Sequence, residues 1–436
     1  MRSISPALFL SLSLVLSFPV TLVAQDPSGY WEGDMVQQGD VLPVAIVFQR
    51  GPSGLTGTWS APSMRALDVP LSAIRFEGRS VHFELAGDQS STVFEGELRG
   101  DSLVGRFTGG EGQGTFAVGR RTPRRLGYRE EEARFSNGTL QLVGTLLLPL
   151  TPGRHPAVVF VHGSGPEARH GSRFLADYLA RYGVAALIFD KRGVGGSGGD
   201  WRRATLEELA DDALAGVGLL RGRPEVDSAR VGIYGHSQGG LVAPLAASRS
   251  NEVGFLIAGA TYGGVVFEQD LYRVNNSLRA SAFSEADQRS AMAFYRRFIE
   301  VARTRQGMDA LERAADSVRH TAWYAWLGIP PRDHWLWAFY PPVGNFDPLP
   351  TWERVKVPVL LLYGQEDRLI PVDSSIRRIG RALDAGGNRR WSAVILPRAA
   401  HNLTVSPRPG EAFEWRRVAN GLPELVLGWI RVQTAP

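Results

Sequence analysis

Cysteine is absent from the 436 residues. That excludes disulfides, a thiolate nucleophile and any metal site built on sulfur. Lysine is almost absent as well: Lys191 and Lys356 are the only two, and arginine carries the remaining positive charge. The net charge of +4 is small and dispersed, so no nucleic-acid partner is expected. Beyond the first two dozen residues no run is long and apolar enough to span a bilayer. No metal-ligand spacing is recognisable, and neither a metal nor another cofactor is expected. What remains is 44% hydrophobic and 21% charged, the balance of a folded globular chain, with length for two or three domains.

Arg2 and the apolar, serine-interleaved stretch from Ala7 to Val23 read as an export signal over residues 1–24. Cleavage after Ala24 is expected, although Leu22 fits an A-x-A pattern poorly. The alternative is an uncleaved anchor, against which Pro19 and the serines argue. The expectation is an exported protein, periplasmic or secreted, with no stable membrane insertion after cleavage. Oligomeric state is not legible.

Residues 26–120 carry short alternating runs, among them Val44 to Gln49, Val81 to Leu85, Val93 to Leu98 and Leu103 to Phe107, separated by turns such as Gly87-Asp88 and Gly100-Asp101. Trp31-Glu32-Gly33, Phe94-Glu95-Gly96 and Gly105-Arg106-Phe107 repeat an aromatic and glycine pairing. Such spacing predicts a small antiparallel barrel or sandwich. Arg120 to Arg125 then read as an exposed linker. Asn137-Gly138 splits a hairpin. From about 127 to 436 apolar strands alternate with helices, which predicts a mostly parallel sheet covered by helices on both faces. Residues from about 265 to 350 interrupt the alternation with an aromatic-rich helical stretch, as an inserted lid would.

The chemistry centres on Gly235-His236-Ser237-Gln238-Gly239. An apolar strand precedes it and a small-residue helix follows, the context of a nucleophile elbow. A second G-x-S-x-G match, at Gly195-Gly196-Ser197-Gly198-Gly199, lacks that context and reads as a flexible loop. Ser237 is therefore the expected nucleophile. It needs a base, and the base needs an orienting acid. His401 follows the last core strand and precedes the last helix. His236 flanks the serine but is expected to point away, and His162 precedes Ser237 in the chain. Asp367, after the strand Val359 to Tyr363, is the expected acid, with Glu366 and Asp373 as alternatives. The amide of Gln238 and that of Ser164, with Gly165 in reserve, are the expected oxyanion donors.

Taken together, His162-Gly163-Ser164-Gly165, Asp190 to Gly195, Gly235 to Gly239, Gly364 to Asp367 and His401 resemble the α/β-hydrolase superfamily, and within it exported bacterial esterases of the EstD type. The resemblance covers residues 127–436 and implies a serine esterase acting on a small-molecule ester, with Asp190 to Gly195 as a structural turn. A serine peptidase of the prolyl-oligopeptidase or aminopeptidase kind shares this core and is the alternative; an inactive binding protein is a third. Trp323, Trp326, Trp335 and Trp337, in the inserted stretch, are expected to line the acyl pocket; the alternative is that these rings pack the inserted helices together.

Overall fold

The computed structural model describes residues 26–435 apart from 53, 88–90, 111 and 412–414. The expected export signal lies outside the described residues, as does Asp88 of the Gly87-Asp88 turn.

Strands β1 (Gly29–Gln37), β2 (Asp40–Gly51), β3 (Gly54–Ala61), β4 (Ala66–Glu77), β5 (Ser80–Leu85), β6 (Thr92–Arg99), β7 (Ser102–Gly109) and β8 (Gly112–Arg121) close into an antiparallel barrel. β1 pairs with both β2 and β8, which removes the free edges that a sandwich would leave. The period-2 pattern turns Trp31, Phe48, Phe83, Phe94, Phe107 and Phe116 inward, where they are buried. Phe83 stacks on Phe94 with ring centroids 4.6 Å apart. The sequence places Arg120 and Arg121 in a linker, but they end β8. Arg120 lies 4.3 Å from the centroid of Trp31 and donates to Asp101 at 2.9 Å. A cation over an indole that also reaches a carboxylate is drawn into the fold rather than left in solvent.

The second sheet is built from β9 (Tyr128–Asn137), β10 (Leu140–Pro149), β11 (His155–Val161), β12 (Ala185–Phe189), β13 (Val226–His236), β14 (Phe255–Gly259), β15 (Val359–Gly364) and β16 (Trp391–Leu396), in the order 16-15-14-13-11-12-10-9. β9 and β10 join antiparallel and the rest run parallel. Every residue of β12, β14 and β15 is buried, as a strand covered on both faces requires. Helices α1 (Arg173–Arg181), α2 (Leu206–Arg221) and α3 (Gly239–Arg249) connect the early strands. Between β14 and β15 the chain inserts α4 (Val266–Arg279), α5 (Glu285–Thr304), α6 (Met308–Val318), α7 (Ala322–Leu327) and α8 (Leu336–Gly344). α9 (Leu349–Arg354), α10 (Val372–Ala385) and α11 (Leu422–Gln433) complete the cover. One sheet face packs on α1 and α11 through Leu175, Leu179, Val426 and Ile430. The other packs on α2, α3, α9 and α10 through Leu209, Val242, Trp352 and Ile379. The inserted helices have an apolar core of their own, with Phe294, Phe298 and Trp323.

Barrel and sheet are not two beads on a string. Trp415, which follows β16, belongs to the barrel's core, with its ring 5.6 Å from that of Phe107. Arg65, between β3 and β4, donates to the carbonyl of Asn402. Arg417 pairs with Asp40 at 3.2 Å, and Arg173 of α1 with Asp68 of β4 at 2.9 Å. The polar linker implies a barrel that folds separately and a remainder that stands without it; the shared core makes that separation costly. Trp415→Ala should lower stability by about 3 kcal/mol through the cavity left in the barrel, measured by chemical denaturation. A chain beginning at Gly127 should be less soluble and melt lower than the full chain, since Trp415 would then face water. Equal melting temperatures would show that the interface contributes nothing.

Candidate active site

β13 ends at His236 and α3 begins at Gly239, so Ser237 occupies the turn between them. Its φ is +56°, a left-handed conformation that a residue with a Cβ adopts at a cost of roughly 1–2 kcal/mol. The flanking glycines follow from close approach. A Cβ on Gly235 would lie 2.0 Å from the carbonyl oxygen of Gly239, and one on Gly239 2.6 Å from that of Val161. The turn lifts the hydroxyl off the sheet at the N-terminus of α3, where backbone dipoles favour negative charge.

His401 Nε2 lies 3.0 Å from Ser237 Oγ, and its Nδ1 lies 2.8 Å from Asp367 Oδ2. The other carboxylate oxygen of Asp367 accepts from the amides of Leu369 and Ile370 at 2.8 and 3.0 Å. Asp367 is thus buried and held from both sides. The alternatives stand apart: Glu366 pairs with Arg408, and Asp373 is exposed at the start of α10. Ser197, in the second G-x-S-x-G match, is buried. Its hydroxyl donates to the carbonyl of Asp190 at 2.7 Å and accepts from the amide of Val143 at 3.0 Å. That loop is pinned rather than flexible, and the serine has no base.

His236 does not simply point away. Its ring lies 5.3 Å from that of His401, and neither ring nitrogen has a partner among the described residues. Burial, with Arg65 and His401 adding to it, drives its pKa well below the ordinary value, so it packs as a neutral ring beside His401. His162 is likewise pushed down to about 4 by burial and bonds to the carbonyl of Phe189.

Ser164 and Gln238 both border a cavity of about 360 Å³ beside Ser237 and His401. Neither backbone N–H has a hydrogen-bond acceptor among the described residues. The loops that carry them are tied by the turn at Asp190 to Gly195, read from the sequence as structural, and by Glu167 and Arg169, which that reading left out. Lys191 is buried; its Nζ donates to the carbonyl of Gly163 at 2.7 Å and to Gln238 Oε1 at 2.9 Å. Burial pushes its pKa down to about 8. Glu167 accepts from the amide of Gly163 at 2.7 Å. Asp190 accepts from the amide, Nε and Nη2 of Arg169 at 3.0, 3.0 and 2.7 Å. Burial alone would raise the Asp190 carboxyl, but these bonds outweigh it and hold it below its usual range. A signal for Lys191 was present: it is one of only two lysines in a chain rich in arginine.

The four tryptophans expected in the pocket do not border this cavity. Trp323 is buried in the core of the inserted helices, with its ring 6.1 Å from that of Phe294. Trp326 packs on Phe283 at 6.0 Å, and Trp337 on Phe298 at 5.2 Å. Trp335 faces Trp201 at 5.2 Å. An insertion this long must build its own core before it can cover anything, and Trp323 and Trp337 serve that core, whereas Trp326 and Trp335 stay exposed. The apolar wall comes instead from Leu241, Val266, Phe339, Tyr340, Val343 and Ile370. Asp270 also borders the cavity, but it accepts from the Tyr295 hydroxyl at 2.6 Å and pairs with Arg273 at 2.6 Å.

Esterase EstD of Thermotoga maritima is 32% identical over 123 residues, 27% of this chain and 29% of that protein. The quorum-quenching protein AidA of Acinetobacter baumannii is 27% identical over 128 residues, 29% of this chain and 42% of that protein. The matches therefore span less than half the length of these curated relatives. Among solved structures, the Pyrococcus furiosus esterase Pf2001 aligns at 19% identity with a TM-score of 0.43, covering 65% of this chain and 88% of that one. The model of the alpha/beta hydrolase family matches residues 158–414, more than half of the chain, from within β11 to past His401. With the parallel sheet and the strand–serine–helix turn at its centre, the chain belongs to the alpha/beta hydrolase family.

Proposed function

We propose that the protein is a serine hydrolase that cleaves carboxylic esters through an acyl-enzyme on Ser237. Ser237 Oγ attacks the ester carbonyl while His401 Nε2 takes its proton. Asp367 orients the imidazole through Nδ1 and offsets the charge that forms on it. The amides of Gln238 and Ser164 receive the carbonyl oxygen as it becomes an oxyanion. His401 then protonates the leaving alkoxide, and a water deprotonated by the same ring releases the acid. The observation that carries this reading is the unbroken relay of 3.0 and 2.8 Å from serine to histidine to aspartate.

Similarity to a protein named an esterase favours an ester over a peptide. So does Asp270: already engaged by Arg273 and Tyr295, it offers no free anion for a peptide amino-terminus. The small apolar cavity suits a short to medium acyl chain. The reading includes export, to the periplasm or beyond, on the strength of the N-terminal stretch.

Ser237→Ala should lower kcat on p-nitrophenyl esters by about 10⁴-fold or more, because the relay acts as a unit. Ser197→Ala should instead cost about 1–2 kcal/mol of stability through its two lost hydrogen bonds and leave kcat near the parent's. The reverse outcome would move the nucleophile.

Lys191 supplies an alkaline limb. Its charge is lost as pH rises through about 8, and with it the cation that ties the Gly163 and Gln238 loops. kcat/KM should fall there, and Lys191→Met should begin about tenfold lower and lack that limb. For stability the sign is opposite. The folded pKa lies below the ordinary 10.5, so the unfolded chain binds more protons between about 8 and 10.5, and this group's contribution to stability rises with pH in that window. An unchanged limb in Lys191→Met would remove the lysine from the account.

The acyl preference is set by the cavity wall. Phe339→Ala or Val343→Ala should move the optimum toward longer chains, by roughly 0.8 kcal/mol for each added CH₂ that becomes buried. Trp323→Ala should lower the melting temperature and keep the parent profile. A shifted profile in Trp323→Ala alone would restore the tryptophans to the pocket.

A further inference from the structure

The barrel's interior is not filled throughout. A cavity of about 460 Å³ is walled by Met35, Trp59, Val69, Phe94, Phe107 and, from outside the barrel, Trp415. It is larger than the 360 Å³ cavity beside Ser237 and shares no wall residue with it. Volumes of this size hold small organic ligands, and eight-stranded barrels are wide enough to enclose one. The wall is largely apolar, although Thr92 and Arg416 also border it, and one polar feature recurs. Trp59 and Trp415 are 4% and 2% exposed, and the indole nitrogen of each is buried with no acceptor among the described residues. An indole N–H only donates, and buried donors are almost always paired. Trp31 shows the ordinary case in the same barrel, donating to the carbonyl of Pro27 at 2.9 Å. Among the described residues, the buried indole nitrogens without an acceptor are those of Trp59, Trp352 and Trp415; Trp352 lies in the core of the sheet domain, and the other two stand in this one wall.

We propose that the barrel cavity is a binding site for an acyl compound: a hydrocarbon chain lying against Met35, Val69, Phe94 and Phe107, with a carbonyl oxygen accepting from Trp59 and Trp415. A free carboxylic acid and an ester share that chemistry. The site is separate from Ser237, and the proposal stands whether or not the protein cleaves esters. No bond is made or broken there.

The test uses the full chain carrying Ser237→Ala, so that an ester is not consumed, and two probes: decanoic acid and methyl decanoate, each with a diazirine on the chain. After photolysis, labelled peptides are located by mass spectrometry over a range of probe concentrations. Saturable labelling of β3, β4, β6, β7 and the Trp415 peptide is expected with at least one probe, and the comparison of the two decides between acid and ester. Trp59→Phe and Trp415→Phe keep a ring and remove the N–H; each should raise the half-saturating concentration about fivefold. Val69→Trp, placed across from Trp59 in the β3–β4 pairing, should fill the space and abolish saturable barrel labelling while the protein stays folded by circular dichroism. Labelling confined to the cavity beside Ser237, barrel labelling that never saturates, or half-saturation unchanged in both phenylalanine variants would each overturn the proposal.

Discussion

The left-handed backbone at Ser237 is the constraint from which the arrangement around it follows. A residue with a Cβ is held at φ +56° only where its surroundings leave no alternative. The surroundings here are backbone: the carbonyl of Gly239 against Gly235, and that of Val161 against Gly239. Strand β11 must therefore run close beside the elbow, which the parallel pairing of Val161 with Gly235 provides. The same proximity brings the loop after β11, with Ser164, to the mouth of the turn. Register in the sheet and the position of a hydrogen-bond donor are one fact seen from two sides.

The turn after β12 plays a comparable part on the other side. Asp190 is forked by Arg169, Lys191 bridges two loops, and Arg192 pairs with Asp212 at 2.7 Å. Three consecutive charged residues are buried, each with a different partner. Removing one partner of such a pair leaves a buried charge uncompensated, which costs several kcal/mol. That dependence explains how the glycine-rich loop from Gly193 to Gly199 keeps a fixed shape. It also explains Ser197, whose hydroxyl closes the loop instead of doing chemistry.

Much of this was legible beforehand, for identifiable reasons. Strands buried on both faces are continuous apolar runs, so β12, β14 and β15 stand out in the sequence, and Asp367 and His401 follow from their places after strands. Period-2 alternation marks the barrel strands, but closure depends on β1 meeting β8, a pairing of distant residues that no local pattern encodes. The tryptophans were open to two readings because an aromatic cluster in an insertion has the same composition whether it lines a cavity or fills a core. Phe339 and Tyr340, from the same stretch, do face the cavity, and only the path of α8 separates them from Trp335 and Trp337. Lys191 was read only as part of a structural turn, because hydrogen bonds from a turn to two other loops leave no mark on spacing. Arg65 and Trp415 join parts of the chain more than three hundred residues apart and could not be paired from sequence.

That last separation has a bearing on how the molecule comes into being. The barrel strands leave the ribosome first, then the elbow, and only near the end the stretch holding His401, Asn402 and Trp415. Arg65 waits 337 residues for the carbonyl it binds. Contacts of such long range close late, because the loop entropy must be met before they form. A growing chain would thus carry Ser237 on a nearly complete sheet while its histidine is still missing or unanchored. On the proposed reading, competence would arrive late in folding, when the stretch around His401 and Asn402 seats against Arg65.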